Sequence, residues 1–116
     1  MALLEISQKE GRVPVTVFQL QDRVNLGNYA ELEQIAKDSY ENGMRDLVMD
    51  LSTTPSLTSI GVRALVVIHR MLSGAGSAKH LKLAGPIAYV RDMLEVSGVT
   101  QYIEIYNTVD EAVASF

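Results

Sequence analysis

The chain has 116 residues, of which 47% are hydrophobic, so it is large enough for one domain with a packed core. Its formal charge of −4 and isoelectric point near 5.0 provide no positive field for a phosphate backbone, so nucleic acid is not expected as a partner. Cysteine is absent, which excludes disulfides and thiolate chemistry.

Metal, membrane and export signals are not evident in the sequence. His69 and His80 lack mutual helical spacing and nearby acidic ligands, so no metal site and no cofactor is predicted. The longest apolar run, VRALVVIH, is shorter than the about 20 residues that cross a bilayer, and the segment MALLEISQKEGR does not resemble a signal peptide. We therefore expect a single cytoplasmic domain spanning residues 1–116, without membrane insertion.

The first predicted elements are two strands joined as a hairpin. The segments LLEISQ and VPVTVFQLQ contain β-branched residues in partial alternation and flank the turn-forming KEGR. Since side chains alternate along a strand, one face of the second strand is expected to carry Val15, Val17 and Gln19.

A helix and a central strand should follow. The segment NLGNYAELEQIAKDSYENG predicts a helix capped by Asn28 and ended by Gly43. Its apolar face consists of Leu32, Ile35, Ala36 and Tyr40. The segment RDLVMDLS is a nearly unbroken apolar run, which is typical of a strand covered on both faces and predicts a central position in the sheet.

The second predicted helix is apolar over a wide arc. One stripe consists of Val62, Leu65, Val66, His69 and Leu72. Beside it lie Val67, Ile68 and Met71. This arc is wider than one buried face requires, and GAGS should end the helix.

The remaining segments predict a strand, a helix, a strand and a final helix. HLKLAG should form a strand with Leu81 and Leu83 on one side, and Pro86 and Gly98 should open and close the next helix. YIEIY alternates as a last strand. Thr108 begins the final helix with Glu111 three residues later, a capping-box pattern. The order β-β-α-β-α-β-α-β-α favours an α/β fold with a mixed sheet of about five strands and about four helices.

A hydroxyl-rich loop, DLSTTPSLTS, precedes the second helix. A helix start leaves backbone N–H groups unpaired, so Thr58 or Ser59 can cap the helix, or Ser59 can carry a phosphate that these groups and the helix dipole favour. Both interpretations stay open at this point. Arg63, one turn into the helix, can pair with such a phosphate or with a partner's carboxylate.

The chain resembles the STAS domain family in its element order and in DLSTTPSLTSIGVRAL, LAGPIAYVRDMLEVSGV and IYNTVDEAV. Family members typically contain D-L-S followed by D-S-[ST]-G-[LI], and in the regulatory branch the serine after the aspartate is phosphorylated. Ser59 matches that serine. Two acidic family positions are neutral here, because Thr58 and Asn25 replace aspartates.

The resemblance implies an anti-sigma factor antagonist that binds a serine-kinase anti-sigma factor and is switched by phosphorylation at Ser59, with Thr58 as second choice. A serine phosphatase would be a further partner. The residues expected to contact the partner are Asn25, Thr58, Ser59, Ile60, Gly61, Val62, Arg63 and Val67. The alternatives are a non-switching STAS scaffold that forms a homodimer through the same helix, or a small-molecule or lipid-transport accessory domain.

No catalytic function is predicted. Asp50 lies at the end of a strand, as the phosphoacceptor of response-regulator receivers does, but the acidic pair and the lysine of that fold are missing. The resemblance to the STAS family implies instead a structural or loop-ordering role for Asp50. The glycines lack the spacing of nucleotide-binding loops. Without a cysteine nucleophile or a serine with histidine and acid partners, the chain offers no catalytic triad.

Overall fold

The computed structural model of the chain describes residues 3–74 and 79–116, and the predicted order of elements is confirmed. The strands are β1 (Leu4–Glu10), β2 (Pro14–Leu20), β3 (Leu47–Asp50), β4 (Leu81–Ala84) and β5 (Glu104–Tyr106). The helices are α1 (Tyr29–Glu41), α2 (Ser59–Ser73), α3 (Ala88–Ser97) and α4 (Val109–Ala114). Gly74 ends α2, whereas the rest of the GAGS segment, residues 75–77, lies outside the described residues.

The five strands form one mixed sheet in the order β1-β2-β3-β4-β5. β1 pairs antiparallel with β2, and the other neighbours pair parallel. All four residues of β3 are buried, which confirms the central position predicted from its apolar run. The predicted mixed α/β architecture is therefore confirmed.

Side chains that alternate along the strands divide the interior into two cores. Phe18 and Met49 contribute to a larger core with residues of α1, α2 and α3. Val15, Val17 and Val48 contribute to a smaller core with residues of α4. Val15 and Val17 thus share one face, as the alternation predicted.

Helix ends follow the sequence signals at two places. Gly98 ends α3 with a φ of 84°, a left-handed conformation that glycine adopts without the steric cost of a Cβ. Thr108 caps α4, since its Oγ1 accepts a hydrogen bond from the Glu111 backbone N–H at 3.1 Å. The Thr108 hydroxyl also donates to the Glu111 carboxylate at 3.1 Å, so Glu111 contacts the side chain of the cap and not its backbone N–H as a capping box would have it.

Two predicted element starts are wrong by one or two residues. Pro86 does not open α3, because Ile87 is the N-cap and the helix begins at Ala88. The last strand begins at Glu104 rather than at residue 102, because residues 99–101 form a short 3-10 helix. The local alternation in YIEIY does not reveal this turn.

Lys82 in β4 is a buried charge in the layer beneath α4. Its Nζ donates to the Ser115 hydroxyl at 2.8 Å and to the Ser115 carbonyl at 3.1 Å, and it lies 3.2 Å from Glu104 Oε1. The ammonium also stands 4.5 Å from the centre of the Phe116 ring. These contacts attach the chain's last residues to β4.

The Glu104 carboxylate is the acidic partner of this cluster. Burial alone would raise the pKa of Glu104, but hydrogen bonds from Lys82 and Tyr106 and the charges of Lys82 and Lys79 outweigh it, so the pKa lies below its ordinary value. A lowered folded-state pKa means that ionised Glu104 stabilises the fold above the unfolded-state pKa. That stabilisation is lost as the pH falls through the lowered value.

Replacing Glu104 with glutamine should therefore flatten the acid limb of the stability profile below about pH 4.5. Urea unfolding of both proteins from neutral pH down to about pH 3 measures this difference. Glu95→Gln, which removes a carboxylate from the exposed side of α3, is the matched control and should keep the parent profile. A Glu104→Gln profile as steep as the parent's would contradict the assignment.

Candidate functional site

Three threonine hydroxyls attach the loop before α2 to the segment that follows β2. Thr53 donates to the Leu20 carbonyl at 2.6 Å, Thr54 to the Asp22 carbonyl, and Thr58 to the Val24 carbonyl at 3.0 Å. The acceptors are the carbonyls of alternate residues in the segment that leads from the end of β2 toward α1. The hydroxyls of this loop therefore serve mainly to join two chain segments that are more than thirty residues apart in sequence.

Thr58 also caps α2. Its Oγ1 accepts a hydrogen bond from the Gly61 backbone N–H at 3.2 Å while its own hydroxyl donates to Val24. Both directions of the hydroxyl are used, and the capping interpretation is confirmed for Thr58.

Ser59, the first residue of α2, is exposed. Within the described residues its hydroxyl makes no hydrogen bond with another group, in contrast to the hydroxyl of Thr58. Ser59 and Ile60 contribute the first two helical N–H groups, whereas the N–H of Gly61 is already capped. A modifying enzyme can therefore reach the Ser59 hydroxyl without displacing any internal contact.

Gly61 and Val62, two of the residues predicted to bind a partner, lie beneath the surface. A Cβ at position 61 would stand 2.8 Å from the Val24 carbonyl oxygen, so only glycine lets α2 approach this segment so closely. Val62 is 6% exposed and belongs to the larger core. Their predicted role is corrected: they support the surface and do not form it.

The exposed face of α2 borders a shallow groove. Ile60, Arg63 and Val67 lie at helical spacing and face Tyr29 and Glu33 of α1 across a volume of about 250 Å³. Val67 is 39% exposed, whereas the opposite side of α2 belongs to the core. The groove thus brings together three of the predicted partner-binding residues.

The loop between β2 and α1 forms the other side of this surface. Asn25 Oδ1 accepts from the Gly27 N–H at 2.9 Å, and the Asn25 N–H donates to Asn28 Oδ1 at 2.9 Å, so Asn25 and Asn28 order the loop. Asn28 is the N-cap residue of α1, as predicted, but its side chain bonds within the loop and makes no capping hydrogen bond to the helix. Leu26 between them is 75% exposed.

Leu26 was not among the sequence candidates. Its signal was weak: an apolar residue between two asparagines in a polar loop, with nothing to show that the loop lies against α2. The contacts of Val24 with Thr58 place that loop beside the start of α2. We define the docking surface as Asn25, Leu26, Thr58, Ser59, Ile60, Arg63 and Val67.

Asp50 and His69 have structural roles. Asp50 is 9% exposed and accepts a hydrogen bond from the Ser52 N–H at 3.0 Å, in agreement with its predicted role in ordering the loop. The His69 ring packs against Tyr102 with 5.5 Å between ring centres. Burial first, and then the nearby charges of Arg70, Lys79 and His80, lower the pKa of His69.

Residues 3–74 and 79–116 include no helix with the length and apolar character needed to span a membrane. In the same ranges, no three histidine or acidic side chains are grouped so that they could hold a metal ion.

The sequence pattern of the STAS domain matches residues 7–112. The chain belongs to the STAS domain family. Among its relatives is BtrV of Bordetella bronchiseptica, whose name assigns it provisionally to the anti-sigma factor antagonists. BtrV is 28% identical over 97 residues, which cover 84% of this chain and 82% of BtrV. The family resemblance inferred from the sequence is thereby confirmed.

Solved structures show how widely this STAS fold is used. A Thermotoga maritima protein, provisionally called an anti-sigma factor antagonist, has a TM-score of 0.85 at 18% identity, covering 97% of this chain and 92% of that one. Phosphorylated SpoIIAA from Bacillus has a TM-score of 0.69 at 15% identity, covering 97% of both chains. The murine anion transporter Slc26a9 has a TM-score of 0.71 at 20% identity, covering 85% of this chain and 17% of the transporter. The fold therefore occurs in antagonists and also in a transporter.

The two neighbouring hydroxyls should differ in their effect on stability. Thr58→Ala removes the cap of α2 and a bond to Val24, and should lower the free energy of unfolding by about 0.5–2 kcal/mol. Ser59→Ala, the matched control, should change it by less than about 0.5 kcal/mol, while Thr58→Ser should restore most of the loss. Chemical denaturation measures all three, and equal losses at both positions would contradict the division of roles.

Proposed function

We propose that this STAS domain is a protein-binding regulator that contacts a serine-kinase anti-sigma factor through the docking surface and is released when Ser59 is phosphorylated. The observation that carries the proposal is the exposed Ser59 hydroxyl at the start of α2, which lies next to the half-buried Ile60 on a helix whose Val67 is exposed further along. The role is one of binding and involves no catalysis by this chain. A serine phosphatase that removes the phosphate would reset the domain.

A phosphate at Ser59 is compatible with the fold. The backbone N–H groups of Ser59 and Ile60 lie at the positive end of the helix dipole, which favours an anion by about 0.3–1 kcal/mol at an exposed site. Arg63 is one turn further along the helix, within reach of a phosphate on residue 59. Phosphorylation therefore adds charge without requiring any rearrangement of the domain.

The same phosphate opposes docking. It adds about 1.5 to 2 negative charges and a hydration shell next to Ile60 and Leu26, which a partner would have to cover. Desolvating that charge in an interface is costly unless the partner offers a matching cation. An apolar partner surface or an acidic one would consequently be released.

Phosphorylation at Ser59 is testable with the kinase encoded by the same organism. Incubation with that kinase and ATP should place a single phosphate on Ser59, mapped by mass spectrometry, and Ser59→Ala should abolish it. Thr58→Ser keeps a hydroxyl at the neighbouring position and should leave the phosphate at Ser59. Modification at Thr58 in the parent protein would contradict the assignment, because the Thr58 hydroxyl is engaged in the cap.

The charge-repulsion step has its own test. Ser59→Asp should weaken binding to the kinase by about tenfold or more, whereas Ser59→Ala should bind as the parent does. Isothermal titration with the purified kinase measures both dissociation constants. If Ser59→Asp binds like the parent, charge at residue 59 is not the switch.

The docking surface can be tested with exposed apolar residues. Leu26→Ser and Val67→Ser should each weaken kinase binding by about 1 kcal/mol or more, since truncated anchors at an interface typically cost this much. Val96→Ser on α3, where the valine is 86% exposed, is the control and should leave binding unchanged. A larger effect at Val96 than at Leu26 and Val67 would place the interface elsewhere.

A second candidate is a non-switching docking module that uses the same surface. It is favoured by the neutral residues Thr58 and Asn25, which stand where family members have acids and whose side chains are engaged in internal hydrogen bonds. In that case Ser59→Asp would not change the affinity for the kinase. The small-molecule or lipid-transport alternative stays a prediction without a specific observation in its favour.

A further inference from the structure

β1 is an edge strand with both faces open. It is the outermost strand of the sheet, and its residues from Glu5 to Glu10 are all exposed. On one face an open groove of about 650 Å³ separates it from the end of α1, and Ile6, which lines that groove, is 50% exposed. On the other face, α4 packs on β3, β4 and β5.

Among residues 3–74 and 79–116, no backbone group pairs with the outer edge of β1, and the positions of its free N–H and C=O groups follow from the register. Thr16 in β2 donates its N–H to Asp46, on the β3 side, whereas Gln21 donates to Leu3, on the β1 side. Odd-numbered residues of β2 therefore bond to β1, and they pair with odd-numbered residues of β1. The N–H and C=O groups of the even-numbered residues of β1 consequently point outward, namely those of Leu4, Ile6, Gln8 and Glu10.

We infer that a second copy of this chain pairs antiparallel with the β1 edge, about a two-fold axis at Ser7, so that Glu5 of each copy faces Lys9 of the other. The inference does not depend on the proposed function. In this register Ile6 would exchange both backbone hydrogen bonds with Gln8 of the second copy, and Leu4 with Glu10. The outcome is one continuous sheet across the two copies.

The charge pattern of β1 selects this register over its neighbours. Only outward-pointing residues can exchange hydrogen bonds, so the pairing can shift by two residues at a time. Shifts in one direction bring Glu5 toward Glu5 of the second copy, and shifts in the other bring Lys9 toward Lys9. With Ser7 on the axis, both charge pairs are opposite in sign and lie at the non-hydrogen-bonded positions, where side chains approach most closely.

The backbone hydrogen bonds and Ile6 stabilise the pair of strands, while the charges of Glu5 and Lys9 determine which strand can pair with β1. Exposed ion pairs contribute little to affinity, but like charges placed directly opposite oppose pairing. Charged residues on an edge strand ordinarily keep other chains away. Here, Glu5 and Lys9 carry opposite charges on either side of Ser7, so the edge is complementary to a second copy of itself. An edge strand that only has to keep other chains away does not require this arrangement. The proposed interface shares no residue with the docking surface.

Charge reversals test the inference. Sedimentation equilibrium of the full chain, up to millimolar concentration, should show a reversible dimer. Glu5→Lys alone or Lys9→Glu alone should weaken dimerisation by about tenfold or more, since each places like charges in both pairs. The double variant Glu5→Lys/Lys9→Glu should restore it, and an equimolar mixture of the two single variants should form a heterodimer.

Both reversed side chains are exposed, so each single variant should keep the parent circular dichroism spectrum and unfolding midpoint. Amide hydrogen exchange gives an independent measurement: raising the protein concentration should protect Ile6 and Gln8, whose N–H groups point outward, and leave Glu5 and Ser7 unchanged. A chain that stays monomeric throughout the series overturns the inference. The inference is also overturned if the charge reversals do not change the dimerisation affinity, or if Val67→Lys abolishes the dimer.

Discussion

The arrangement of the candidate site depends on the hydrogen bonds from three threonine hydroxyls to alternate carbonyls of the segment after β2. Thr53, Thr54 and Thr58 bond to Leu20, Asp22 and Val24, and they hold the loop before α2 against the chain that leads into α1. Buried carbonyls left unpaired would be costly, so these bonds satisfy the extended segment where it leaves the sheet. The same contacts hold Val24 against Thr58 at the start of α2, so this attachment brings the loop after β2 next to the loop that carries Ser59.

The attachment also separates the hydroxyls with structural partners from the exposed hydroxyl of Ser59. Thr58 uses its oxygen both as donor and as acceptor, whereas Ser59 projects into solvent one residue later. A β-branched side chain is stiff about χ1, which suits a residue that must hold one geometry. The neutral Thr58 replaces a family acid and thereby removes one negative charge next to Ser59. This substitution lowers the repulsion that a phosphate would meet, but it also removes a charge by which a kinase could recognise the site.

Periodicity in the sequence was sufficient to predict the fold, because burial of the strands and helices imposes repeats that can be read locally. The site was less predictable. Thr53, Thr54, Thr58 and Ser59 look alike in sequence, and the carbonyl partners that distinguish the three threonines from Ser59 lie more than thirty residues away. For the same reason the wide apolar arc of α2 did not reveal that Val62 is core while Val67 borders solvent. The side of a helix that faces a neighbouring loop is a tertiary property, and no local pattern records it.

The docking surface and the β1 edge lie at two different kinds of boundary of the mixed sheet. In the parallel part, the carboxyl ends of β2 and β3 lead into the segments that meet at the start of α2, where irregular loops end and side chains can be exposed in fixed positions. β1 runs antiparallel and ends the sheet, so its boundary consists of backbone groups and not of loops. In the two proposals, the docking surface responds to a phosphate at Ser59, whereas the β1 edge responds to the register of the strands and to the order of their charges. Phosphorylation at Ser59 would then alter docking without altering how the edge pairs.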